Sequence, residues 1–340
     1  MQWREVSRKR SGITTSTSPL ILVGMPRCGS TIFTQILNQS RDLLIINDFY
    51  YLQFADEINA INCNDSVTQQ KLVDYINYWL IRRIKRSNDE GIGGGLVISP
   101  EEEVKIKSYI SNFNFSESKN WASILQEIME YVVATTGKTT WGYNTPQDYL
   151  NLELLKKAYP DSKIVFVIRD CRSMLSSYKH IIKEYDYNND KNRYHPVLQT
   201  IAWRTAVRTF LSYRQHHPDN ILLVRYEDLV HSTQSTIYGV EEYLATKFPH
   251  IELSDFGNNS SFRNKKRKSI SNTEVWLCEK LAAKELELLG YEVSGKKPRL
   301  QDTLDLLLTT TRAGWFYLHK VATSGNIRKR IFKLAKKIFS

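Results

Sequence analysis

An α/β fold, in which a parallel sheet is flanked by helices, is predicted by three short apolar runs, each in register with a helix-like stretch. The runs are "PLILVGM" (19–25), "KIVFVIRD" (163–170) and "ILLVRYEDL" (221–229). Runs this short and continuous suit parallel strands buried on both faces. Their alternation with helical patterns indicates βαβ units.

Taken in order, residues 1–18 read as a flexible lead, basic and then Ser/Thr-rich. The strand at 19–25 is followed by a helix over 30–39 that starts at the Gly29–Ser30 turn. Leu72, Tyr75, Ile76, Trp79, Leu80 and Ile84 recur at helical spacing and predict an amphipathic helix over 71–86. "NDEGIGGGLVISPEEE" (88–103) is a Gly-rich loop into a capped helix start at Ser99-Pro100. Further helices are expected over 121–134 and 147–158, the latter ending before Pro160. The strand at 163–170 leads into a helix over 171–184, and a helix near 197–216 precedes the strand at 221–229. One α/β domain is therefore expected over 19–295, with no internal repeat, followed by a basic tail over 296–340.

The net charge of +11 sits at the chain ends. The tail holds eleven Lys/Arg against Asp302 and Asp305, and Arg4, Arg8, Lys9 and Arg10 stand near the start, so residues 11–295 are nearly neutral. Such a distribution does not predict a nucleic-acid binder. The four cysteines lie far apart, with no CxxC and no zinc spacing, which fits reduced thiols in a cytoplasmic setting. No 7–15-residue apolar core of a signal peptide is present near the start.

Four stretches carry chemistry. In "VGMPRCGSTIFTQIL" (23–37), Gly24 and Gly29 have phosphate-loop spacing and Thr31 stands at the hydroxyl position, but Ser30 occupies the lysine position. A strand, a glycine-bounded turn and a helix N-terminus suit an anion. Without the lysine that reaches β and γ phosphates, ATP or GTP hydrolysis is disfavoured. In "VFVIRDCRSMLSSYKH", Arg169 leaves a strand end, where ligands of parallel sheets gather, and Ser177 follows on the next helix. "LLVRYEDLV" ends a strand with Tyr226 and Glu227, and "SSFRNKKRKS" (260–269) is a Ser and Arg/Lys cluster. Read singly, these are also a strand–helix turn, a surface Arg–Asp pair, a core tyrosine and a solvated basic loop.

In this order and spacing, the set resembles the superfamily of sulfotransferases that use 3′-phosphoadenosine 5′-phosphosulfate. "GMPRCGST" is similar to the family's 5′-phosphosulfate loop and "IRDCRSMLSSY" to its 3′-phosphate motif. "WGYNTP" is similar to its G-x-K-T-P turn, "RYEDLV" to an adenine-side strand end, and "LLGYE" (288–292) to a closing element. The resemblance covers about residues 20–292 and implies a P-loop NTPase-like parallel sheet. It implies that Arg27 is the catalytic cation beside the leaving phosphate, and that Cys28, Gly29, Ser30 and Thr31 form the 5′-phosphate loop. Arg169 and Ser177 match the 3′-phosphate ligands and Tyr226 the adenine neighbour. Ser261, Arg267 and Lys268 approximate a loop closing over the nucleotide.

The residue types fit in-line sulfuryl transfer through a loose transition state, in which positioning and charge neutralisation do most of the catalysis. An arginine and backbone donors then suffice, and no metal is required. Cys28 and Cys171 stand where the family has Ser and Pro, both small replacements. Asn144 stands where the family has Lys and removes a second cation from the transferring group. Pro146 closes the route to a histidine base at that turn, so Asp48, about twenty residues past Arg27, is the candidate base, with His180 as a distant second. The alternative role for Asp48 is to cap a turn or helix.

The expected reaction is sulfuryl transfer to a hydroxyl acceptor, a carbohydrate or glycoconjugate first, with small metabolites, lipids and protein tyrosines open. The rival classes are a P-loop kinase or NTPase and a non-catalytic nucleotide-binding scaffold. In the tail, Ile327, Ile331, Leu334, Ala335 and Ile338 share one helical face opposite lysines and arginines. That pattern fits a solvated helix, a peripheral membrane anchor or a docking helix for an acidic glycan or partner.

Overall fold

The computed structural model describes residues 18–62, 65–90, 96–113, 119–184, 194–256 and 269–323, with isolated positions 325 and 328. Among these, five strands form one parallel sheet: β1 (Leu20–Gly24), β2 (Leu43–Asn47), β3 (Thr140–Asn144), β4 (Lys163–Ile168) and β5 (Ile221–Arg225), in the order β2-β3-β1-β4-β5. Two strands go beyond the three apolar runs. β2 ends beside Asp48, whereas "WGYNTP" is not simply a turn: its first residues complete β3. β3 is hard to read because "TWGYN" is short and mixes glycine and asparagine with aromatics. Burial between neighbouring strands overrides that weak local preference.

The register matters for function. Asn47 pairs with Asn144, Leu22 with Asn144, Gly24 with Val167, and Ile168 with Arg225. The carboxyl ends of all five strands therefore lie along one edge. Alternation along β1 divides the core. Ile21 and Val23 face a large cluster with Trp141, Phe166, Trp203 and Phe210, while Leu20 and Leu22 face a smaller one with Ile32, Phe33, Ile36 and Val224. Each fully buried side chain of this kind is worth about 1.5–3 kcal/mol.

Helices α1 (Ser30–Leu37), α2 (Tyr51–Glu57), α3 (Ser66–Glu90), α4 (Pro100–Ser111) and α5 (Trp121–Thr135) precede β3. The start of α4 is a capping box: the Ser99 hydroxyl accepts from the Glu102 N–H and the Glu102 carboxylate from the Ser99 N–H. The helix expected over 147–158 is a 3-10 turn, Pro146–Asn151, running into α6 (Leu152–Ala158). The proline opening and the short polar stretch favour the tighter turn. α7 (Cys171–Glu184) and α8 (Pro196–His216) flank β4 and β5. They are followed by α9 (Tyr226–His231), α10 (Thr233–Leu244), α11 (Asn272–Leu281), α12 (Ala283–Leu288) and α13 (Leu300–Thr323). α13 buries Ala313 while Leu304, Leu308, Trp315 and Leu318 remain exposed. The amphipathic segment expected over 327–338 lies outside the described residues except for position 328. Among the described residues, no helix is long and apolar enough to cross a membrane.

Candidate functional site

The loop between β1 and α1 runs along the carboxyl edge of the sheet. Its geometry needs glycine twice. A Cβ on Gly24 would meet the Val167 carbonyl oxygen at 2.1 Å, and one on Gly29, at φ 95°, would meet the Tyr226 ring at 2.2 Å. Gly29 is the N-cap of α1 and supplies no side chain to cap the first turn. N–H groups and the positive dipole end at such a helix start suit an anion.

Arg27 adopts a left-handed backbone, φ 74°. Its Nε donates to the Ser177 hydroxyl on α7 at 3.2 Å, although the two residues are 150 positions apart. Arg169, at the end of β4, lays its guanidinium 4.4 Å from the centre of the Tyr226 ring. The Arg169 Nε is buried without a hydrogen-bond partner among the described residues. Its backbone is fixed by Trp203, whose indole N–H donates to the Arg169 carbonyl at 2.8 Å.

Cys28 lies inward and is buried, and its N–H donates to the Met25 carbonyl at 3.2 Å. Burial pushes its thiol up to about 11, so the sulfur stays protonated at neutral pH and packs without acting as a nucleophile. Ser30 is buried at the start of α1, and its hydroxyl accepts from the Asn144 side chain at 3.2 Å. Thr31 is half-buried beside it.

Asp48 follows the last residue of β2, also in a left-handed backbone, φ 52°. Its carboxylate accepts from the Asn47 side chain at 3.4 Å, and its carbonyl from the Arg83 guanidinium of α3 at 3.0 Å. The structure thus brings Arg27, Gly29, Ser30, Arg169, Ser177 and Tyr226 into one neighbourhood, with Asp48 on the same sheet edge. Ser261, Arg267 and Lys268 lie outside the described residues, as does the side chain of His180. Among the described residues, no group of three or more His, Cys, Asp or Glu side chains is arranged to hold a metal ion.

Several supporting residues escape a reading of sequence. Arg172 is a hub: it pairs with Asp170 at 2.6 Å and Glu279 at 2.6 Å, and donates to the Glu292 carbonyl at 2.7 Å. Burial raises the Glu279 carboxyl, but the Ser294 N–H and Arg172 outweigh it and hold that carboxyl below its ordinary range. Glu227 accepts from the Asp170 N–H at 3.0 Å and from the Tyr291 hydroxyl at 2.9 Å. This ties "RYEDLV" and "LLGYE" to the strand end that presents Arg169. The pairing of Asn47 with Asn144 had one available signal, an asparagine at the end of each of two neighbouring strands. Its use required knowing that those strands are neighbours.

The sequence profile of the sulfotransferase family matches residues 19–250. A Caenorhabditis briggsae protein described as a "Putative protein-tyrosine sulfotransferase" is 24% identical over 176 residues, 45% of this chain and 61% of its own. The match therefore spans less than two thirds of that relative's length. Among solved structures, sulfotransferase STF9 from Mycobacterium avium aligns with 86% of this chain and 81% of its own, at 13% identity and a TM-score of 0.47. A sulfotransferase domain from the curacin biosynthetic pathway aligns with 81% of this chain and 98% of its own, at 15% identity and a TM-score of 0.48.

Proposed function

This chain belongs to the sulfotransferase family, and on that premise we propose that it moves a sulfuryl group from 3′-phosphoadenosine 5′-phosphosulfate to a hydroxyl acceptor. The observation that carries the choice of donor is a pair of cations at the carboxyl edge, Arg27 in the loop after β1 and Arg169 after β4. Arg27 reaches the Ser177 hydroxyl, and Arg169 keeps a buried Nε without a partner among the described residues. A donor with two separate phosphate ends matches two such sites, whereas a triphosphate would call for a lysine where Ser30 stands.

The donor supplies an activated sulfuryl group, and the chain's own residues hold and neutralise. The backbone N–H groups of Gly29, Ser30 and Thr31 take the 5′-phosphate end, with Arg27 set to neutralise charge on the leaving oxygen. Arg169 and Ser177 take the 3′-phosphate, and Tyr226 packs beneath Arg169 on the nucleotide side. Asp48 takes the acceptor proton. A carbohydrate or glycoconjugate hydroxyl is the first acceptor class. A tyrosyl hydroxyl is the second, supported by the name of the Caenorhabditis briggsae relative.

Thermal shift with 3′-phosphoadenosine 5′-phosphate against ATP tests the donor, and stronger stabilisation by ATP overturns it. Transfer of labelled sulfate to panels of glycans, phenols and tyrosyl peptides tests the reaction. No transfer to any of them favours a nucleotide-binding scaffold.

A further inference from the structure

Asn144 and Asn47 occupy paired positions at the carboxyl ends of β3 and β2, and both are removed from water, at 0% and 4% exposure. The Asn144 Nδ2 donates twice, to the Asn47 Oδ1 at 2.6 Å and to the Ser30 Oγ at 3.2 Å. The Asn47 Nδ2 in turn donates to the Asp48 Oδ2 at 3.4 Å. An unbroken chain of side-chain bonds therefore joins Ser30 to the Asp48 carboxylate, crossing two strands. Its donor sense diverges from the Asn144 amide, so both ends accept. Ser30, accepting from Asn144, keeps its own hydrogen to donate, towards the nearby Cys28 sulfur or an anion in the loop. Asp48 accepts from Asn47, a neutral donor that orients its side chain.

This arrangement is not one that packing alone would select. Buried amides are tolerated where they are satisfied, yet the Asn144 Oδ1 is buried without a hydrogen-bond partner among the described residues. Apolar side chains would fill the same space without that cost. We propose that Asn47 and Asn144 are positioning residues that fix the Ser30 hydroxyl and the Asp48 carboxylate in one relation along the sheet edge. The proposal rests on the reading that Ser30 meets the donor's phosphate and that Asp48 receives the acceptor's proton.

The test uses the full-length chain carrying Asn47→Ala, Asn144→Ala, both together, and the isosteric Asn47→Asp and Asn144→Asp. Asn47→Ala is expected to lower kcat for sulfuryl transfer about 10-fold or more, with the Kd for 3′-phosphoadenosine 5′-phosphate within about threefold of wild type; Asn144→Ala, which also releases Ser30, is expected to lower kcat as much and to weaken nucleotide binding as well. The double variant is expected to be no worse than the poorer single one, because the residues act as a unit. Asn144→Asp keeps the shape but loses both donors, and is expected to match Asn144→Ala. Asn47→Asp keeps the acceptor for Asn144 and turns the link to Asp48 from a donor into a repelling carboxylate, and reports on the chain even if the alanine variants fail to fold. A kcat within twofold of wild type in Asn47→Asp, multiplicative losses in the double variant, or an Asn47→Ala loss that tracks nucleotide affinity overturns the proposal. A readout independent of turnover is the side-chain amide spectrum of 15N-labelled protein. Asp48→Ala is expected to shift the Asn144 amide as well as that of Asn47, and an unmoved Asn144 amide sinks the coupling. A wild type that shows this coupling but transfers no sulfate refutes the reaction and leaves the chain of bonds standing.

Discussion

Arg27 and Ser177 are 150 residues apart in sequence, and the Arg27 Nε donates to the Ser177 hydroxyl at 3.2 Å. The loop after β1 and the helix after β4 thus share a bond at the carboxyl edge, made possible by the pairing of Gly24 with Val167. Replacing Arg27 by Ala is expected to lower kcat by about 10²–10³, the cost of losing one donor to a developing oxyanion. Arg27→Lys keeps the charge but loses the fixed fork, and is expected to recover only part of the loss. Labelled-sulfate transfer gives kcat and calorimetry the nucleotide affinity. A tenfold or smaller loss in Arg27→Ala removes it from the chemistry.

Gly29→Ala tests the contact between loop and ring. Its Cβ would lie 2.2 Å from the Tyr226 ring at φ 95°, whereas Gly137, at φ 67°, has nothing within 4 Å of an added Cβ. Both variants carry the conformational cost, about 1–3 kcal/mol, but only Gly29→Ala adds the clash. Scanning calorimetry should show a larger fall in Tm for Gly29→Ala, together with loss of nucleotide binding. Equal falls would mean that Tyr226 moves aside freely.

Arg172→Ala leaves Asp170 and the nearly buried Glu279 without their cation. Breaking a buried pair costs about 3–5 kcal/mol, and the lower end applies because Arg172 keeps a fifth of its side-chain surface in water. Urea unfolding measures it. The same variant should also weaken nucleotide binding, since Asp170 adjoins Arg169.

His195 precedes α8 and its Nε2 lies 3.0 Å from the Thr310 hydroxyl of α13. Burial lowers its pKa below the ordinary 6.5. The folded state therefore binds the proton less readily than the unfolded chain. The stability this contributes is complete above pH 6.5 and declines as pH falls from there towards the folded value. Glu274 and Glu279, held below 4.5 against the effect of burial by Lys179 with the Ser271 N–H and by the Ser294 N–H with Arg172, lose their contribution only at lower pH. Melting curves from pH 7.5 to 5 should show a decline in wild type that His195→Gln lacks. Parallel curves would exclude His195.

The sheet was legible where hydrophobicity alone decides. "LILVG", "KIVFVI" and "ILLVR" are buried on at least one face and need no partner to be recognised. "TWGYN" was not, because its strand character comes from lying between β2 and β1. The loop residues Gly24, Arg27 and Gly29 were legible through spacing, since the backbone conformation demands those types. Arg83, Trp203 and Asn47 were not: each acts through a partner at least 34 positions distant or across a strand pair whose order the sequence does not state.

Arg27 and Asp48, the two residues proposed to act directly on the reacting groups, both occupy backbone conformations that glycine and asparagine enter more easily. At Arg27 this costs about 1–3 kcal/mol of folding free energy; aspartate enters the region more readily, so the cost at Asp48 is smaller. Selection for thermal robustness alone would therefore drive these two positions towards glycine or asparagine and away from chemistry. A library of this protein sorted on solubility or melting temperature should enrich catalytically silent variants at 27 and 48. Activity must be part of any screen that sets out to harden it.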